Sequence, residues 1–229
     1  MTIYTCVLLD LDHTLFDSDA SERDAYAGAV GAAGVADPGS LFDLYVEINR
    51  GLWRRLEAGT IDLERLRVQR FEELADRAGV EYDAEMVADH YSELLGSCGQ
   101  LYERSRPLLD ALRGRVQLGL VTNGVSSTQR ARLDRTGIAD VFDAVVVSGE
   151  FGSAKPGRAI FEEAFRLLGE PQRAATLMVG DSLSSDIAGA TNAGIDSCWF
   201  NPRGSAADGA AFTHEVSSLD EVALLVLGT

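Results

Sequence analysis

The sequence predicts an α/β protein: a parallel-sheet core in three α/β/α layers, interrupted after its first strand by an inserted all-helical cap domain. Three observations carry that expectation. The apolar run from Tyr4 to Leu9 ends on Asp10 and reads as a buried parallel strand. From Ser18 to about Gly99 the apolar spacing is almost wholly helical. After Arg106-Pro107, strand-like and helix-like segments alternate, as they do when helices cross between parallel strands.

Taken in order, the first strand gives way at Asp10-Leu11-Asp12-His13-Thr14-Leu15. Four segments, at about 18–33, 40–58, 60–79 and 83–97, then repeat apolar residues three and four apart. Asp37-Pro38-Gly39-Ser40, Gly59-Thr60 and Gly79 break or cap them. Further strands are expected at Gln117–Thr122, Ala144–Ser148, Thr176–Gly180 and Ser197–Phe200. Helices are expected at about 106–113, 125–136, 157–168 and 183–193. The core domain therefore comprises residues 1–16 and 100–229 and is Rossmann-like, and residues 17–99 form the cap, which would close over the Asp10 edge. There is no internal repeat, and low complexity is confined to the short loop from Gly204 to Ala211.

A chain of 229 residues, 46% of them hydrophobic, fits one large domain or a domain with a smaller insert, and suffices for a sizeable core. The formal net charge of −16 argues against a nucleic-acid polymer as partner, since phosphate backbones call for Lys and Arg stripes. A solvated acidic surface or a salt-rich cytoplasm would each account for it. No apolar stretch is long enough to cross a membrane, and the amino terminus lacks a basic region followed by a hydrophobic segment, so a cytoplasmic location and no membrane partner are expected. Cys6, Cys98 and Cys198 are odd in number and widely spaced, which suggests buried, inert thiols rather than a disulfide framework or a zinc site.

Chemistry concentrates at the expected strand ends. Asp10 and Asp12 are two apart, so in extended chain both carboxylates can face one pocket while Leu11 turns into the core. Two anions that close need a divalent cation, or a proton shared between an acid and a base; alternatively, they are a polar strand exit whose turn Thr14 closes. Thr122-Asn123-Gly124 offers a hydroxyl and turn amides suited to a phosphate oxygen, although Asn-Gly also makes a plain turn. Of the 20 basic residues, Lys155 alone is lysine. A compact ammonium fits a crowded metal-phosphate site that a guanidinium fork does not; the other reading is a surface lysine kept by chance. Pro156 is expected at the first position of the following helix. Gly180-Asp181-Ser182 with Asp186 adds two acids at a helix start, where they could also serve as caps. Together these four sets share one face of the sheet, and oxygen ligands without His or Cys point to a hard cation, Mg²⁺.

The set Asp10-x-Asp12-x-Thr14, Thr122-Asn123-Gly124, Lys155-Pro156 and Gly180-Asp181-Ser182 with Asp186, in that order, resembles the haloacid dehalogenase superfamily of phosphohydrolases. That resemblance implies an aspartyl-phosphate mechanism, with Asp10 as nucleophile and Asp12 as the acid and base serving the leaving oxygen and water. It implies Mg²⁺ held by Asp10, the backbone carbonyl of Asp12 and Asp181, with Asp186 holding the metal shell. Thr122, the Asn123 backbone and Lys155 would bind the phosphoryl oxygens. The namesake dehalogenases lack an acid at the position of Asp12 and lack this metal arrangement, so phosphate chemistry is expected over C–halogen chemistry. Mutases of the superfamily share the site and differ mainly in the cap.

Asn49-x-x-Leu52-Trp53, Gly59-Thr60-Ile61, Arg70-Phe71, Gln129-x-x-Arg132-Leu133 and Ser197-Cys198-Trp199-x-Asn201 resemble the bacterial pyrimidine 5′-nucleotidases over nearly the whole chain. Hydrolysis of UMP, dUMP and dTMP is the implied activity, on a small-molecule phosphate ester. Trp53 or Phe16 could stack a base, with Arg54 or Arg55 reaching its carbonyls; Trp53 also reads as cap core, from the helical spacing around it. His13 either touches the leaving group or anchors its loop, and His90 and His214 show no partner in sequence. The alternatives are a sugar-phosphate phosphatase such as the N-acylneuraminate-9-phosphatase type, and a binding protein that keeps the fold without catalysis.

Overall fold

The structure, a computed structural model, describes residues 4–228. β1 (Cys6–Leu9) leads through a loop to β2 (Phe16–Asp17) and to helices α1 (Ser18–Ala32), α2 (Phe42–Glu57), α3 (Leu63–Ala78) and α4 (Ala84–Ser97). The chain continues through β3 (Gln100–Leu101), α5 (Ser105–Leu112), β4 (Gln117–Thr122), α6 (Ser126–Thr136), β5 (Ala144–Val147) and α7 (Ser148–Phe151). It ends with α8 (Arg158–Leu167), β6 (Thr176–Gly180), α9 (Ala188–Ala193), β7 (Asp196–Phe200), β8 (His214–Val216) and α10 (Leu219–Leu227). Contacts divide the described residues into two compact units. One holds those up to Asp17, Gln100–Asn123 and those from Thr136 onward; the other holds Ser18–Gly99 and Gly124–Arg135.

The first unit is built on a six-stranded sheet of order β5-β4-β1-β6-β7-β8, every pair parallel. Its central strands are the uninterrupted apolar runs that a sheet covered on both faces requires. Strand alternation sends Cys6 and Leu8 to one face, where they pack with Val121, Met178, Phe161 of α8 and Ala190 of α9. Val7 and Leu9, turned the other way, are buried as completely. α5 and α10 pack together, burying Leu109 and Leu112 with Val222 and Val226. β1 is flanked by β4 and β6 in the middle of the sheet, so its end, at Asp10, adjoins the ends of both neighbours.

In the second unit α1 packs on α4, and α3 packs on α2 and α4. Tyr26, Phe42, Tyr45, Phe71 and Tyr91 form its aromatic centre, with ring centroids 4.6 to 6.0 Å apart. Asp62 caps α3 by accepting from the Arg65 N–H, Asp83 caps α4 through the Glu85 and Met86 N–H groups, and Gly79 closes α3 in the left-handed conformation. Leu52 and Leu56 supply α2's part of the core, whereas Trp53, one residue and about 100° further round the helix, is half-buried rather than a core residue.

Element boundaries follow the sequence pattern closely, and the departures have local causes. Ser148, expected to end a strand, starts α7. Pro156 is not in the first turn of α8, which begins at Arg158 behind Gly157; it stands in the preceding turn, joined to Lys155 by a cis peptide bond. The segment expected as one helix over 183–193 opens with a π-helical turn, Leu183–Ile187, in which Asp186 and Ile187 N–H groups both reach the Ser182 carbonyl. β2, β3 and β8 are two or three residues each, too short for a period to register.

Cys6 and Cys198 lie buried in β1 and β7, and burial pushes their thiols up to about 11 and about 12, which makes them inert. Among the described residues no helix is long and apolar enough to cross a membrane. His214 does have a partner: its Nε2 is 2.8 Å from the Tyr4 hydroxyl, which donates to Asp196 Oδ2 at 2.8 Å. Those contacts tie the entry of β1 to β7 and β8. Tyr4→Phe is expected to lower unfolding free energy by about 1–2 kcal/mol in urea, because it strands the Asp196 acceptor and the His214 donor; an unchanged midpoint would show that the bridge contributes nothing.

Candidate active site

Four parallel strands deliver the candidate residues. Asp10 directly follows β1 and extends its ladder, its N–H donating to the Val179 carbonyl at 3.0 Å. Leu11 then turns into the core, fully buried, while Asp12 stays half-exposed. The turn is closed by backbone, not by Thr14: the Leu15 and Phe16 N–H groups both reach the Leu11 carbonyl, and the Thr14 hydroxyl is buried with no hydrogen-bond partner among the described residues. His13 takes a left-handed φ of 59° there, and its N–H donates to the Phe16 carbonyl at 2.9 Å.

Lys155 is 1% exposed, and its ammonium lies between two carboxylates, 2.5 Å from Asp10 Oδ1 and 2.6 Å from Asp186 Oδ1. Burial alone would drive off its proton, but Asp10 and Asp186 outweigh that and hold its pKa above the ordinary lysine range. The backbone of Lys155 is clamped from β4. Asn123 Oδ1 accepts from the Lys155 N–H at 2.8 Å, and Asn123 Nδ2 donates to the Lys155 carbonyl at 3.0 Å. Thr122, fully buried, ends β4 immediately before it.

The π-helical turn after β6 brings Asp186 back over the strand it has just left. Asp186 is fully buried, and its Oδ2 accepts from the Ser182 N–H at 3.0 Å. A Cβ on Gly180 would stand 2.2 Å from that oxygen, so only glycine admits the carboxylate here. Asp181 is fixed by its backbone, whose carbonyl accepts the Trp199 indole N–H at 2.8 Å from neighbouring β7.

Oxygens of Asp10, Asp181 and Asp186 lie within 4.8 Å of one another. Three carboxylates share one ammonium, an excess of two negative charges when all are ionised. Burial, with Asp186 nearby, pushes Asp181 up to about 7, and burial, reinforced by Asp186 and Asp181 against the relief from Lys155, raises Asp10 well above the carboxylate range. One divalent cation would cancel the excess, and an all-oxygen donor set suits Mg²⁺. The Asp12 carboxylate contributes no oxygen to this cluster, although Asp181 feels its charge.

Of the residues singled out in sequence for the substrate, Phe16 is fully buried in β2, His13 and Trp53 are half-buried, and Arg54 is exposed on α2. The Asn123 side chain, the Trp199 indole and Gly180 are parts of the site that sequence reasoning did not assign. The first two act on backbone atoms of residues distant in sequence, which leaves no periodic trace.

Residues 4–194 match the family of haloacid dehalogenase-like hydrolases. The chain is similar to the pyrimidine 5′-nucleotidase PynA of Streptococcus pneumoniae, 38% identical over 87% of this chain and 84% of that protein. It is also similar to the pyrimidine 5′-nucleotidase YjjG of Escherichia coli, 39% identical over 81% of this chain and 82% of that protein. Among solved structures, YfnB from Bacillus subtilis bound to magnesium superposes with a TM-score of 0.90 at 32% identity, covering 97% of this chain and 98% of that one.

The crowding of charge has a measurable consequence. With metal chelated, Lys155→Met is expected to lose about 3–5 kcal/mol of stability, because it leaves buried carboxylates without their cation. Asp181, which has no ion pair among the described residues, should behave oppositely: Asp181→Asn is expected to raise Tm in EDTA by a few degrees. A lowered Tm for that variant would show that the three acids do not repel as described.

Proposed function

The chain belongs to the haloacid dehalogenase-like hydrolase family, and we propose that it is a Mg²⁺-dependent phosphomonoesterase, a 5′-nucleotidase for pyrimidine nucleoside monophosphates such as UMP, dUMP and dTMP. The observation that carries the reading is the buried Lys155 ammonium, 2.5 Å from Asp10 in a cluster that also gathers Asp181 and Asp186. A phosphate monoester is an anion, and a carboxylate attacks it only where cations screen both partners.

In this reading the Asp10 carboxylate attacks phosphorus, the bond from phosphorus to the ester oxygen breaks, and an aspartyl phosphate forms. Asp12 gives the leaving oxygen its proton. It then takes a proton from the water that attacks phosphorus, which releases inorganic phosphate and restores Asp10. Its half-exposed position, apart from the buried carboxylates, supports that exchange of protons with solvent. Thr122, the Asn123 N–H and Lys155 hold the phosphoryl oxygens. Asp10 and Asp181, with the Asp12 backbone carbonyl, would hold Mg²⁺, and Asp186 would fix the metal shell and Lys155. Bound there, the ion supplies positive charge to the phosphoryl oxygens and to Asp10. Similarity over more than four-fifths of the chain to two pyrimidine 5′-nucleotidases supports the choice of substrate.

A panel of phosphate esters assayed with Mg²⁺ tests the substrate: kcat/KM should be higher for UMP and dTMP than for sugar phosphates, including N-acylneuraminate 9-phosphate. Equal or reversed preference would remove the nucleotidase reading, and inactivity across the whole panel would leave a binding protein of this fold. Asp10→Asn is expected to abolish turnover, with a fall of at least about 10³-fold while circular dichroism stays native. Residual activity near wild type would remove Asp10 as nucleophile.

A further inference from the structure

The peptide group between Asp181 and Ser182 is held at both ends. Its carbonyl oxygen, on Asp181, accepts the Trp199 indole N–H at 2.8 Å, and its N–H, on Ser182, donates to Asp186 Oδ2 at 3.0 Å. A peptide group is planar, so a grip on one end sets the direction of the other. Two of the three clustered acids therefore depend on this one plane. Asp186 takes its N–H, and the Asp181 carboxylate hangs from the Cα at its edge. Asp10 and Asp186 are also bonded to Lys155, at 2.5 and 2.6 Å, whereas Asp181 makes no ion pair among the described residues. Its main chain is what decides where its carboxylate points.

The indole is itself aimed. Trp199 is 4% exposed on β7, opposite Gly180 of β6 in the parallel register. Its ring lies 5.5 Å from that of Phe212, centroid to centroid. Ser197, whose side chain leaves β7 on the same face as Trp199, fixes the segment that carries Phe212. The Ser197 N–H donates to the Thr213 hydroxyl and the Thr213 N–H donates to Ser197 Oγ, each at 3.2 Å. The ring is thus backed on one side, and its buried N–H is satisfied by the Asp181 carbonyl. Every residue in this series of contacts belongs to the sheet-based unit.

We propose that Trp199 is a positioning residue of the metal site: by fixing the Asp181–Ser182 peptide plane, its indole N–H sets the affinity of the Asp10, Asp181 and Asp186 cluster for Mg²⁺. This rests on the Mg²⁺ reading given above and deepens it. Trp199 offers the ion no ligand atom and acts through the backbone of residues that do. Mg²⁺ demands near-ideal octahedral geometry, so a ligand residue whose peptide is free to rotate has to be ordered at the moment of binding and binds more weakly. Groups that orient metal ligands from behind are worth about tenfold or more in affinity.

The test measures binding of Mg²⁺ itself to the full chain, by isothermal titration calorimetry without substrate. Trp199→Phe keeps an aromatic ring beside Phe212 and removes the N–H. Its Kd for Mg²⁺ is expected to rise about tenfold, and the increase in Tm given by a fixed Mg²⁺ concentration should shrink with it. A packing role alone would lower Tm in EDTA and leave Kd at the wild-type value, which would overturn the inference. The wild-type protein supplies a second measurement should the variant not fold. With ¹⁵N-labelled tryptophan it has two indole N–H signals, from Trp53 and Trp199, and Trp53→Phe tells them apart. The Trp199 signal is expected to shift as Mg²⁺ saturates; a signal that stays in place while Mg²⁺ binds overturns the inference. Wild-type protein that binds no Mg²⁺ would instead overturn the Mg²⁺ reading itself.

Discussion

The Lys155 ammonium is the interaction on which the rest of the site depends. It touches Asp10 and Asp186 at 2.5 and 2.6 Å, and all three residues are buried. Removing ions from water costs several kcal/mol each, and only short, well-satisfied contacts repay it. The protein keeps this ion group buried with more acid than base, a poor arrangement for stability. That expense is intelligible if the excess negative charge is reserved for a cation, in line with the concentration of perturbed carboxylates at functional sites.

The fold meets the constraint by positioning backbone rather than by adding charge. Parallel order places β4, β1 and β6 side by side, so Thr122 and Gly180 end within one residue of the level of Asp10. The Asn123 amide, grasping both peptide groups of Lys155, sets where the lysine stem begins. On the other side, a π-helical turn and a glycine without a Cβ let Asp186 fold back against β6, and the Trp199 indole fixes the Asp181 carbonyl. Each device is local, and each would be lost by a change that leaves the charges themselves intact.

Which residues meet at the strand ends was largely legible in sequence, because those ends are marked by a sharp change from apolar to polar, as at Leu9-Asp10, Thr122-Asn123 and Gly180-Asp181. The rarity of lysine among the basic residues likewise singled out Lys155, and the structure places it in the middle of the acids. What sequence could not provide was the work of side chains on distant backbone. Asn123 read as part of a phosphate cradle or a plain turn, Thr14 as one candidate to close a turn and Pro156 as a helix start, since local propensity knows nothing of the peptide 32 residues away that the Asn123 side chain binds. The reading of Trp53 as cap core failed for a different reason: helical spacing marks a face about 100° wide, and the tryptophan stands at its margin beside Leu52.

Replacing Lys155 by arginine, which keeps the charge and changes only its shape, is the most direct measurement of this dependence. A guanidinium cannot occupy a point between two carboxylate oxygens as an ammonium does, because its donors are spread across a planar fork. In the presence of saturating Mg²⁺, kcat/KM of Lys155→Arg on UMP is expected to fall by about 10³-fold or more, with folding retained. A rate within tenfold of the wild type would contradict the central claim, since the site would then need a positive charge but not this one.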